Sequence, residues 1–236
     1  LQEALRSLEE HGKLLDPTFS RAAKRLRYEA YRIEVVLWES PAETALRRAR
    51  LYAVLSPALM SGDPFRSARQ ALGGGIQVLQ LRAKGPGWGD RALLSLARRL
   101  SILCRDYEVP FFLNDRADLA LAAGADGVHL GQSDLAASEA RRLFGRRLLI
   151  GVSTHNRAQI LAACRSDISY LAVGPVFPTL TKPHRGPVGL GLLKSVPAGA
   201  PPVFAIGGIA TANLSRVLRA GASRVAVTGA VFRAPD

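Results

Sequence analysis

From Leu51 onward, short apolar runs alternate with longer stretches whose apolar residues recur at helical spacing. The pattern predicts strands at Tyr52–Leu55, Ile76–Leu81, Pro110–Leu113, Gly127–Leu130, Leu148–Val152, Tyr170–Val173, Val203–Ile206 and Val225–Val227. Helices are expected between them, near 64–72, 89–105, 117–123, 137–144, 156–164, 189–196 and 211–220. Three helix ends echo one another in Gly73-Gly74-Gly75, Ala123-Gly124-Ala125 and Ala220-Gly221-Ala222, where glycine suits a left-handed turn back to a sheet. Eight strands with seven intervening helices is the count of a (β/α)8 TIM barrel over 51–236. The alternative, a doubly wound open sheet, lacks its Gly-x-Gly-x-x-Gly fingerprint after the first strand. At Asp236, where an eighth helix should begin, the expectation is either truncation or cover from the N-terminal helices.

Ahead of the first strand, residues 1–15 and 17–39 read as two helices, with Asp16-Pro17 as cap and first helical residue. Phe19, Ala22, Leu26, Ala30, Ile33 and Leu37 recur at helical spacing, so an amphipathic hairpin is expected to pack outside the barrel. Pro41 to Arg50 is predicted as a linker or short helix, completing an N-terminal helical extension over 1–50.

The apolar share of 48% supports a substantial core, and the 22% of charged residues argues against disorder. No run of about 18 apolar residues appears, so no membrane span is expected. Leu1 opens an amphipathic helix rather than a signal peptide, and the absence of an initiator methionine points to a longer protein. Cys104 and Cys164 stand far apart in helix-like stretches, which reads as two reduced thiols in a cytoplasmic protein. The net charge of +13 is scattered, without basic blocks or interleaved aromatics, and this favours anionic small molecules over nucleic acid. Lysine occurs only at 13, 24, 84, 182 and 194, so Lys84 and Lys182 stand out beside other polar strand-end residues.

Chemistry is expected at the C-terminal ends of the strands. The third and fourth strands end in Asn114-Asp115 and Gly131-Gln132-Ser133-Asp134, and two carboxylates at one sheet edge suit Mg²⁺ holding a phosphorylated substrate. The plainer reading is that Asp115 caps the helix at Ala117 and Asp134 the one near Ala136. Alternation sends Gln80, Arg82 and Lys84 to one side of the second strand's end, a polar set suited to a di-anion. Ser153 is either a ligand or the cap of the helix at Asn156, and His155 adds little by itself. Beyond the sixth strand a long segment contains Thr179, Thr181 and Lys182, and residues 176–187 are expected to close over bound ligand. Gly207, Gly208, Thr228 and Gly229 follow strands seven and eight, the usual place for a backbone phosphate site.

Six motifs in this order resemble thiamine-phosphate synthase: Gln80-Leu-Arg-x-Lys84, Asn114-Asp115-Arg116, Gly127-Val-His-Leu-Gly-Gln-x-Asp134, Gly151-Val-Ser-Thr-His155, Gly174-Pro-Val-Phe-Pro-Thr-x-Thr-Lys182 and Ala205-Ile-Gly-Gly-Ile209. The resemblance covers about 50–234. It implies joining 4-amino-2-methyl-5-(diphosphooxymethyl)pyrimidine to 4-methyl-5-(2-phosphooxyethyl)thiazole, with release of pyrophosphate. It further implies that Gln80, Arg82, Lys84, Asn114, Ser153 and Lys182 hold the pyrimidine diphosphate, Arg82, Lys84, Ser153 and Lys182 among them aiding its departure. Asp115 and Asp134 would hold Mg²⁺, and Thr179, Thr181, Gly208, Thr228 and Gly229 the thiazole phosphate, with Gly207 also at the substrate. The implied chemistry is dissociative: pyrophosphate leaves first and the thiazole nitrogen traps the cation. Ala83 and Thr228-Gly229 depart from the family's acidic residue and aliphatic–Ser pair. More loosely, the N-terminal hairpin resembles the end of a helical module associated with pyrimidine-phosphate kinases. The alternatives are a thiazole tautomerase of related fold, a non-catalytic phosphate-binding barrel and, weakest, an RNA-binding protein. A homo-oligomer is a further expectation.

Overall fold

The computed structural model describes residues 2–38, 40–85, 87–179 and 186–233. The chain divides into two compact units, Leu1–Thr44 and Ala45–Asp236.

In the first unit, helices α1 (Gln2–Leu15) and α2 (Pro17–Trp38) form the expected hairpin. Its turn is set locally: Asp16 Oδ1 accepts from Thr18 N at 2.7 Å, and the proline occupies the first helical position. The seam between the helices is partly polar. Ser20 donates to the Glu9 carbonyl at 2.9 Å and Arg27 pairs with the Glu9 carboxylate at 2.8 Å, beside buried Ala23. Phe19 and Leu26, two residues of the apolar stripe expected to pack outside the barrel, are exposed. Helix α3 (Pro41–Arg48) follows.

The second unit is a closed barrel of eight parallel strands in sequence order. The strands are β1 (Leu51–Leu55), β2 (Val78–Leu81), β3 (Phe111–Asn114), β4 (Gly127–Leu130), β5 (Leu149–Thr154), β6 (Tyr170–Val173), β7 (Val203–Ile206) and β8 (Val225–Val227). Around them lie α4 (Pro64–Gly73), α5 (Asp90–Asp106), α6 (Ala117–Ala123), α7 (Ala137–Phe144), α8 (Arg157–Cys164), α9 (Thr211–Arg219) and the one-turn α10 (Gly229–Phe232). Near-continuous burial along the strands explains why they read as apolar runs rather than as alternations. The helix expected at 189–196 is a 3-10 segment, Leu190–Ser195, where two glycines lower helix propensity. Gly124 takes the left-handed conformation predicted for a helix end (φ 68°).

Four rings, Tyr52, Phe112, Tyr170 and Phe204, fill the barrel centre with centroids 5.2–6.1 Å apart. Two of them lie over glycines on the neighbouring strand. Phe112 is in register with Gly127 and Tyr170 with Gly151, and a Cβ at either glycine would collide with the ring. Between the strands and the helices, Leu79, Leu81, Leu100, Phe111, Leu113 and Ile150 form the outer core.

Candidate functional site

At the C-terminal ends of the strands lie two adjoining cavities. One, of about 330 Å³, is lined by Arg82, Lys84, Asn114, Asp115, Gly131, Gln132, Ser133 and Asp134. The other, of about 300 Å³, is lined by Gln80, Pro178, Thr179, Gly207, Gly208, Thr228 and Gly229, together with apolar groups. Arg82, Asn114, His129, Ser153 and His155 border both, so the two form one divided site. Its volume falls in the range of small-molecule pockets.

The polar compartment is built at a strained turn. Asp115 has φ 66°, and Arg116 N donates to the Asn114 carbonyl at 2.8 Å across it, closing a three-residue turn. Aspartate is among the residues that tolerate this left-handed region. The turn is held from both sides, by Asp115 N donating to the His129 carbonyl at 2.8 Å and by Arg116 gripping both Asp90 and Asp118. Lys84 Nζ lies 2.6 Å from Asp115 Oδ2. Burial raises the Asp115 carboxyl above its ordinary value and neighbouring Asp134 adds to the rise, while Lys84 pulls it back. Burial pulls the Arg82 guanidinium down, and Asp115 opposes this.

The capping reading of the two carboxylates does not hold. The N-cap residues of α6 and α7 are Arg116 and Ala136, neither making a side-chain cap bond. Asp134 Oδ2 instead accepts from Gly131 N at 2.7 Å, folding its loop back toward β4. Ser153 is not a cap either: Asn156 caps α8 through its own side chain, accepting from Gln159 N at 2.9 Å. Two close hard-oxygen donors beside space for an anion fit Mg²⁺, which commonly takes one or two carboxylates and completes its shell with phosphate oxygens and water. Among the described residues no group of three or more His, Cys, Asp or Glu gathers.

In the second compartment the chain beyond β6 is pinned to β7. Val176 N donates to the Ile206 carbonyl at 2.8 Å and Phe177 N to the Gly207 carbonyl at 3.0 Å. Gly208 has φ 64°, and a Cβ there would collide with the Pro178 carbonyl, so only glycine fits this approach. The structure thus gathers all the sequence-predicted site residues it describes. Thr181 and Lys182, with the middle of the 176–187 segment, lie outside the described residues.

Sequence reasoning missed two features. Arg233 lines the second cavity and is tethered by its Nε donating to the Leu59 carbonyl at 2.7 Å. It follows the last motif, in a stretch with no periodicity to mark it. The second is a buried polar chain. Gln80 Nε2 donates to Tyr52 OH at 3.2 Å, and the Tyr52 and Tyr170 hydroxyls are 2.7 Å apart. Tyr170 OH is 2.8 Å from His129 Nδ1, and His129 Nε2 is 2.8 Å from Ser153 Oγ. Strand tyrosines read as core aromatics in a sequence, and only the closed barrel brings these five strands together.

The thiamine monophosphate synthase family model matches residues 51–231, and the ThiD2 family model matches residues 1–36. Thiamine-phosphate synthases from Thermosynechococcus vestitus and Gloeobacter violaceus are 43% and 45% identical over 240 and 238 residues. These alignments cover 100% of this chain and 67% and 68% of the relatives, so the chain spans about two thirds of their length. Among solved structures, the thiamine phosphate pyrophosphorylase of Pyrococcus furiosus superposes with a TM-score of 0.72 at 34% identity, covering 81% of this chain and 91% of that one. A profile spanning the whole barrel, relatives above 40% identity and a superposing structure agree: the chain belongs to the thiamine monophosphate synthase family, whose activity is thiamine-phosphate synthesis.

Proposed function

We propose that this barrel joins 4-amino-2-methyl-5-(diphosphooxymethyl)pyrimidine to 4-methyl-5-(2-phosphooxyethyl)thiazole, releasing pyrophosphate, with Mg²⁺ as its cofactor. The observation that carries the reading is the divided site: a compartment rich in cations and carboxylates opening into one lined by glycine backbone and apolar groups. Bound between Asp115, Asp134 and the diphosphate, Mg²⁺ would neutralise charge on the leaving group. Arg82 offers a planar fork of donors to the diphosphate oxygens, and Lys84 a point charge. Their attraction grows as the C–O bond breaks and negative charge collects on pyrophosphate, so they favour the transition state over the bound substrate. Lys182 would add a third cation, as the family resemblance implies. Backbone amides near Gly208 and Gly229, with the Thr179 hydroxyl, would receive the thiazole phosphate.

The test is a pyrophosphate-release assay with the two substrates, separately and together, with Mg²⁺ and with EDTA. Release that requires both substrates and stops in EDTA is expected. Thiazole isomerisation without either metal or pyrimidine would favour the tautomerase instead. Turnover unchanged in EDTA would remove Mg²⁺ from the proposal.

A further inference from the structure

The five-residue chain beneath the site has a direction, and the direction decides what Ser153 can do. Gln80, His129 and Ser153 are buried, and so are Tyr52 and Tyr170, both under 2% exposed. Burial raises both phenols well above their ordinary range, outweighing the hydrogen bonds that pull Tyr52 back, so each is a neutral hydroxyl with one proton to donate.

The Gln80 amide nitrogen can only donate, so Tyr52 OH accepts there. The Tyr52 proton then has one acceptor among the described contacts, Tyr170 OH at 2.7 Å. Tyr170, already accepting, passes its own proton to His129 Nδ1 at 2.8 Å. With Nδ1 an acceptor, the neutral imidazole carries its proton on Nε2 and donates to Ser153 Oγ at 2.8 Å. The reverse direction would strand the Tyr52 proton in the barrel centre, a buried donor left without a partner, and folding disfavours that arrangement.

We infer that Tyr52 and Tyr170 are positioning residues which, through His129, fix Ser153 as a hydrogen-bond donor aimed into the site. Taken alone, Ser153 and His129 have the separation of a nucleophile and its base. The chain forbids that role, because Nε2 is occupied by a proton. Ser153 has its acceptor lone pair satisfied from beneath, and its O–H is left to bind an anionic oxygen such as that of the diphosphate. The inference rests on the proposed reaction for the identity of that anion, but the proton arrangement stands apart from it.

Two measurements test it. Nitrogen NMR of the wild-type enzyme without substrate should show His129 unprotonated at Nδ1 and protonated at Nε2. A resonance pattern with the proton on Nδ1 would reverse the chain and overturn the inference, whatever the enzyme's substrates. The second is a double-mutant cycle on kcat with Tyr170→Phe and Ser153→Ala. Tyr170→Phe alone should lower kcat by about tenfold, the worth of one hydrogen bond. In the Ser153→Ala background it should cost less than about twofold, because its effect runs through Ser153. Additive losses would show that Tyr170 merely packs, and would overturn the positioning role. Should Tyr170→Phe fail to fold, Tyr52→Phe tests the same cycle one link further back. A wild type that releases no pyrophosphate would count against the reaction and leave the NMR result to judge the chain.

Discussion

Asp115 combines two demands that substitution can separate. Its backbone sits at φ 66° and its carboxylate contacts Lys84 at 2.6 Å. Asp115→Asn keeps a short polar side chain that tolerates the left-handed region. It removes an ion pair whose side chains are 50% and 23% exposed, worth at most about 1 kcal/mol, and it also removes the repulsion from Asp134. The net change in stability should lie within about 1 kcal/mol of zero. Asp115→Ala makes the same electrostatic changes but places an alanine at positive φ, adding about 1–2 kcal/mol. For a chain of this length each kcal/mol moves the melting midpoint by about 2–4 °C. Differential scanning calorimetry without ligands should therefore find Ala melting about 2–8 °C below Asn. Both variants should lose about a hundredfold or more in kcat, the worth of one preorganised charge at a leaving group. Equal melting points would refute the strained-turn argument, and an Asn variant with wild-type kcat would refute the role of the charge.

Three further outcomes are expected. Gly151→Ala should destabilise the barrel by about 1–3 kcal/mol through overpacking against Tyr170, read as a lower melting midpoint; an unshifted midpoint would mean that the strands yield freely. Arg233→Ala should raise the KM for the thiazole phosphate by about tenfold while leaving that for the pyrimidine diphosphate within about twofold; equal effects on both would place Arg233 outside the second compartment's work. Lys182→Ala should lower kcat about a hundredfold with Mg²⁺ dependence retained, and a wild-type kcat would take Lys182 out of the leaving-group clamp.

The barrel was legible because its strands are buried on both faces and so appear as apolar runs between amphipathic helices. Boundaries drifted where backbone pairing overruled composition. β2 begins at Val78 rather than Ile76, since Gln77 N bonds the Leu51 carbonyl outside the ladder and Gln77 Oε1 caps the start of β1. The site was legible wherever polar residues interrupt an apolar strand end, as at Arg82, Asp115 and Asp134. What the sequence hid depends on closure. Tyr52 and Tyr170 are 118 positions apart, and nothing local distinguishes a phenol that hydrogen-bonds from one that only packs. The polarity of the hairpin seam was hidden for a related reason, because Glu9 and Arg27 read as solvent-facing charges until their helices are paired.

The two glycine–aromatic contacts across neighbouring strands have a meaning for how such barrels change over time. Gly127 with Phe112, and Gly151 with Tyr170, each fit only as a couple, the missing side chain on one strand being the room for the ring on the next. A side chain at either glycine costs stability while the ring stays, so each couple should tend to be inherited or lost as a unit. A descendant that acquired a side chain at 151 would recover the lost stability by shrinking residue 170, and would then surrender the phenol that His129 leans on. The barrel wall thus ties the fate of a residue with no chemistry at all to that of the serine above it.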